Sequence, residues 1–141
     1  MLKASSMECR IGGLRLSPIF LTYDDTKERD AETDNGPYHL FVVEVRGRIA
    51  SIFVGGERSH SSVAAASHLN SEDIQGGGHL YLNHNHFLVL DGFSGCFGSI
   101  PGELLQQFVA LIAETLRESG TSVAGTKVTS DPKTLNDFWE E

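Results

Sequence analysis

The stretch Gly76 to Gly98, GGGHLYLNHNHFLVLDGFSGCFG, decides how the whole chain is read. It opens with three glycines. His79–Leu82 and Phe87–Leu90 follow as apolar arms, with Asn83-His84-Asn85 between them. Asparagine tolerates the positive φ that a tight tip needs, so the segment predicts a β-hairpin. It closes on Gly92-Phe93-Ser94-Gly95-Cys96-Phe97-Gly98, and an amphipathic helix follows at once. A glycine-rich turn between a strand and a helix N-terminus presents backbone N–H groups to an anion. Ser94 adds a hydroxyl donor. The same spacing also suits a plain strand-to-helix connection. The Gly-Lys-Ser/Thr ending of a P-loop and the dinucleotide fingerprint are both absent.

Downstream of this stretch, Ser99 is the expected helix cap, with Pro101 in the first turn. Leu104, Leu105, Phe108, Val109, Leu111, Ile112 and Leu116 recur at helical spacing and predict one broad apolar face. Gly120 is the expected C′ residue. Val123–Thr129 predicts an edge strand, and Asp131 starts a short terminal helix carrying Leu135, Phe138 and Trp139.

Upstream, Glu57–Asn70 (ERSHSSVAAASHLN) predicts a helix capped by Ser59 or Ser61, with Val63, Ala66 and either Ala65 or Leu69 turned inward. Tyr38–Val45 predicts a buried strand. Arg46-Gly47-Arg48 turns it back into Ile49–Val54 as a second hairpin. Cys9–Thr22 reads as one or two strands, interrupted at Gly12-Gly13 and Pro18. Residues 23–37 (YDDTKERDAETDNGP) are polar and aperiodic and read as a mobile acidic loop. Residues 1–7 read as a loose terminus. Strands clustered in hairpins, with helices between them, predict a single α+β domain over residues 1–141: a mixed sheet flanked by two main helices, with its core in residues 38–120.

A chain of 141 residues with 40% hydrophobic content buries a core without staples. Two cysteines make no disulfide framework, and no signal peptide or bilayer-length apolar run is present. These features predict a cytoplasmic protein. The net charge of -8, with scattered lysines and arginines, gives no nucleic-acid footprint and no membrane-binding one.

Four groups can carry chemistry. His60 stands at the start of a helix, where the dipole favours the neutral imidazole that a base or nucleophile needs. The same position suits a surface histidine. The 92–98 loop is the anion cradle already described. His79, His84 and His86 approach metal-ligand spacing, yet no carboxylate or cysteine supplies an obvious fourth ligand, so no metal is expected. Cys96 sits in a glycine-rich loop, but the Cys-x5-Arg pattern of cysteine phosphatases is missing, and a small space-filling role is expected.

Taken together, these pieces resemble the phosphohistidine phosphatase (Janus/Ocnus) family. Gly76-Gly77-Gly78-His79-Leu80 is similar to the family's Gly-Gly-Gly-Arg-Ile, and Gly92–Gly98 to its Gly-Tyr-Ser-x-x-Tyr/Phe-Gly, at similar separation. His60 falls where the family's catalytic histidine belongs. The resemblance covers about residues 38–119. It implies a mixed sheet with two helices and cofactor-free, metal-independent removal of phosphate from phosphohistidine in proteins. His60 would be base or nucleophile, and Phe93, Ser94, Gly95 and Cys96 would bind phosphate. The family's arginine and lysine correspond to His79 and His39, so substrate binding would fall to His39, Arg58 and His79, with phosphate held more firmly as pH falls. The implied partner is a phosphorylated protein or a small phosphorylated ligand. The alternative is a non-catalytic phosphate-binding or protein-interaction module on the same fold.

Overall fold

The computed structural model describes residues 2–17, 35–83, 85–94, 97–129 and 138–140. Among these residues, eight strands and two α-helices run in the order β1 (Leu2–Lys3), β2 (Glu8–Leu14), β3 (Asn35–Arg46), β4 (Ile49–Gly55), α1 (His60–Ala66), β5 (Ile74–Asn83), β6 (Phe87–Asp91), α2 (Gly102–Glu118), β7 (Gly125–Thr129) and β8 (Trp139–Glu140). Six of the strands form one mixed sheet in the order β2-β4-β3-β5-β6-β7. The two hairpins, β3–β4 and β5–β6, are antiparallel and meet at an antiparallel β3–β5 ladder. A parallel strand closes each side: β2 on β4, and β7 on β6. The fold is thus the expected α+β domain with two helices on a mixed sheet.

Alternation along β3 assigns the two faces of the sheet. Phe41, Val43 and Val45 point to the α2 side, where they join Ile52, Val54, Leu80, Leu82, Leu88 and Leu90. Onto these α2 lays Leu104, Leu105, Phe108, Val109, Ile112, Ala113 and Leu116, a stripe at i, i+3, i+4 spacing. Leu111, expected in that stripe, lies partly exposed beside it, and Ala113 takes the inward place. Leu40 and Val42 point the other way and meet Val63 and Ala64 of α1 together with Ile74. With only seven residues, α1 covers one part of that face, against β3 and β4.

Several boundaries differ from expectation for physical reasons. β5 begins at Ile74 and carries all three glycines inside the sheet, rather than starting at His79. β2 runs through Gly12-Gly13 with a bulge between Ile11 and Gly13, the usual answer to an irregular position in a strand. The helix expected over Glu57–Asn70 is only His60–Ala66. Ser59 caps it by accepting from the Ser62 N–H at 3.1 Å. It ends in a Schellman motif: Leu69 N–H donates to Ala64 O and His68 N–H to Ala65 O, with His68 at φ 58°. Val63 and Ala64 are buried against Leu40, Val42 and Ile74, while Ala65 and Ala66 are exposed.

Ser99 does not cap α2. It is buried, and Pro101 is the N-cap residue with no side-chain bond. Gly120 ends α2 at φ 91°, as expected. Residues 2–7 are not a loose terminus. β1 pairs in parallel with β8, and Ala4 and Met7 are buried in the α2-side core. Trp139 is buried there too and donates its indole N–H to Gln75 O at 3.1 Å. The strand β3 reaches back into the expected acidic loop as far as Asn35. The rest of that loop, together with Pro18, Asp131 and Leu135, lies outside the described residues. No helix among the described residues is long and apolar enough to cross a membrane.

Candidate functional site

The site lies on the α1 face of β5. His60 is the first residue of α1, and its Nε2 donates to the Gly78 carbonyl oxygen at 2.9 Å. A neutral ring with its proton on Nε2 carries its lone pair on Nδ1. Burial pushes the His60 pKa below the ordinary histidine value. The Gly78 carbonyl opposes this, nearby His79 adds to it, and Asp91 opposes it. The sequence-based expectation credited the helix dipole for a neutral His60, whereas the largest cause is desolvation.

Ser94 faces the same spot. A Cβ built on Gly77 would lie 3.0 Å from His60 Cδ2 and 3.4 Å from Ser94 Cβ. His60 Cδ2 and Ser94 Cβ therefore both close over Gly77, leaving less room than a methyl group needs. The glycine is required at this position because the same Cβ would stand 2.7 Å from the Phe41 carbonyl oxygen. The loop folds on itself: Phe97 N–H donates to Ser94 Oγ at 3.2 Å, and Gly98 N–H to Ser94 O at 3.1 Å. It is tied to the sheet through Gly77 N–H to Gly98 O, at 3.3 Å. Gly95 and Cys96 lie outside the described residues.

His79 stands beside His60 with ring centroids 5.6 Å apart, edge to face. Directly across the β5–β6 ladder is Asp91. Asp91 Oδ1 accepts from His79 Nδ1 at 2.8 Å, from His79 N–H at 3.0 Å and from Phe93 N–H at 3.2 Å. The first amide of the expected cradle is therefore spent on the chain's own carboxylate. Asp91 was missed from sequence, although counting the ladder back from Leu82 opposite Leu88 places it against His79.

His39 does not join this group. It pairs with Leu80, while Leu40 pairs with His79, so alternation turns His39 to the α2 side of the sheet. There it is buried, and its Nε2 accepts from Ser17 N–H at 3.0 Å. Burial pushes its pKa down, against the pull of Glu57. A buried neutral acceptor cannot serve as the substrate-binding cation that the resemblance implied. Arg58 is exposed, two residues before His60, and makes no ion pair among the described residues. Its neighbour Glu57 pairs with Arg15.

His84 lies outside the described residues, and His86 sits at φ 61° in the β5–β6 connection, beyond the Leu82–Leu88 pair at the opposite end of the ladder from His79. Among the described residues no group of three or more His, Cys, Asp or Glu side chains is placed to hold a metal. Burial raises the Cys9 thiol to about 11, which makes it a poor nucleophile.

The two depressed histidines give a stability prediction. His39 and His60 bind protons more readily in the unfolded chain, so the stability they contribute is complete above about pH 6.5 and is lost as pH falls through their folded values. Thermal melts between pH 7.5 and 5.5 should show a falling Tm, and His39→Gln should flatten that slope. An unchanged slope in the variant would assign the effect elsewhere.

No family model, curated protein or solved structure matches the chain.

Proposed function

We propose that the chain is a metal-independent phosphatase acting on phosphohistidine or a related phosphorylated substrate. The observation that carries this reading is the meeting of His60 and Ser94 over Gly77. A phosphoryl group bound outside that contact, on the Nδ1 edge of His60, would have the loop at its oxygens and His60 at its phosphorus or at an attacking water. As base, His60 Nδ1 takes a proton from water while the water oxygen bonds to phosphorus. The P–N bond then breaks, and its electron pair leaves with the imidazole, which takes up a proton. As nucleophile, Nδ1 bonds to phosphorus as the substrate's P–N bond breaks and its imidazole leaves with a proton; water then bonds to phosphorus, the P–Nδ1 bond breaks and inorganic phosphate is released. The tautomer fixed by the Gly78 carbonyl suits both routes. Oriented donors in the loop supply electrostatic stabilisation, which contributes most of the rate in many sites of this kind.

A second reading, a non-catalytic phosphate-binding or interaction module, draws support from Asp91. Its carboxylate occupies the Phe93 amide and stands as an anion beside the place a phosphate would take. A ¹H–¹⁵N titration with inorganic phosphate, run beside a phosphate-release assay on a phosphohistidine peptide, separates the two. The phosphatase reading expects shifts at Gly77, Phe93 and Ser94 together with turnover. Shifts without turnover favour the binding module, and shifts elsewhere overturn both.

A further inference from the structure

On the far side of His79 from His60 lies a cavity of about 260 Å³, lined by Tyr38, His79, Tyr81 and Asp91. Register explains the grouping. Tyr38 stands opposite Tyr81 on the β3–β5 ladder, and His79 opposite Asp91 on the β5–β6 ladder, so all four side chains alternate onto one face. Tyr38 is 59% exposed, the only large hydrophobic side chain so exposed among the described residues, and its ring meets His79 edge to face at 5.3 Å.

The carboxylate in this cavity is used asymmetrically. Asp91 Oδ1 collects three donors, whereas Oδ2 has no hydrogen bond among the described residues. A carboxylate oxygen open to solvent beside two phenol rings attracts a cation, through charge and through the ring faces. A neutral apolar group placed there would strip water from the carboxylate without replacing its hydrogen bonds. A second anion would meet like charge.

We propose that this cavity is a cation subsite, taking an ammonium or guanidinium group that the ligand carries beside its phosphate. His79 is the partition between the two halves, with one ring neighbour on each side. The proposal deepens the phosphatase reading and rests on it for the position of the phosphate. It also accounts for an acidic residue next to an anion cradle, because the ligand it fits carries both charges.

The test uses the full chain and two probes of matched shape, L-argininamide and its uncharged counterpart L-citrullinamide. In ¹H–¹⁵N titrations argininamide should shift Tyr38, His79, Tyr81 and Asp91 and bind about three- to tenfold more tightly than citrullinamide. Asp91→Asn keeps an acceptor for the Phe93 and His79 amides and should erase that preference. Tyr38→Gln, at an exposed position where folding is safe, should reduce it. In a second arm, phosphohistidine peptides with arginine or citrulline next to the phosphorylated residue should differ in KM by a similar factor if the cation belongs to a peptide. Equal KM values with the argininamide preference intact would assign the subsite to a small cationic ligand, again in support. The proposal is overturned if the two amides bind alike or if neither touches these residues. The argininamide arm needs no turnover, so an inactive protein would end the phosphatase reading and leave this one standing on its own result.

Discussion

Gly78→Ala is expected to remove most of the protein's stability. A Cβ at Gly78 would overlap the Asp91 carbonyl oxygen, lie 2.8 Å from the Asp91 carbonyl carbon and sit 2.9 Å from Phe41 Cζ. Two of those three atoms are backbone of the neighbouring strand, so no rotamer change relieves them. β5 is the central strand that joins the two hairpins, and moving it away from β6 would open the ladder that carries Leu80 and Leu82. Overpacking of this kind costs upwards of about 3 kcal/mol, a large share of the stability of a domain this size. Gly47→Ala offers the contrast. Gly47 has φ 61° in an open turn, and nothing lies within 4 Å of its would-be Cβ. Only backbone strain of about 1–2 kcal/mol is expected there. Urea denaturation of the two variants beside the parent checks both values. Equal and small losses would show that β5 does not sit as described.

The role of the triple glycine shows where sequence reading stops. Glycine is a poor strand former, so three in a row read as the entry to a hairpin and not as its middle. What makes them necessary is crowding from residues far away in sequence: Ile100 against Gly76, Phe41 O and His60 against Gly77, and Asp91 O against Gly78. Local features were legible. The two hairpins follow from period-two patterning and turn residues, and α2 follows from its apolar stripe and Gly120. The parallel pairings β2–β4, β6–β7 and β1–β8 depend on contacts between distant segments, and no local pattern announces them.

The candidate site was legible in the same partial way. His60 and Ser94 stand out by position in their motifs, and the sheet brings them to one side. His39 was misassigned because its face depends on the β3–β5 register, which a strand read alone does not fix. Asp91 reads as the polar end of an apolar arm. Its meaning comes only from the residue across the ladder.

His60→Ala is expected to have the largest effect on chemistry. Among the described residues the ring is the only imidazole placed over Gly77, held there by the Gly78 carbonyl and by packing against His79. Alanine at the first position of α1 keeps helix propensity and the Ser59 cap, so the fold should survive. Loss of a positioned acid–base group costs about 10²–10⁴ in rate, and loss of a nucleophile costs at least as much. Ser94→Ala removes one hydroxyl from the loop and should cost less. His39→Gln, on the other face of the sheet, should leave turnover within about threefold of the parent, since changes remote from the chemistry act only weakly.

Everything proposed for the chemistry turns on His60 and the 92–98 loop acting on one phosphoryl group. The most direct measurement is the release of inorganic phosphate from a phosphohistidine peptide by the parent and by His60→Ala, both treated with a chelator and both shown to be folded by circular dichroism. Turnover by the parent is expected, with a rate at least about 100-fold lower in the variant. Equal rates in the two proteins, or no release by a folded parent, would contradict it.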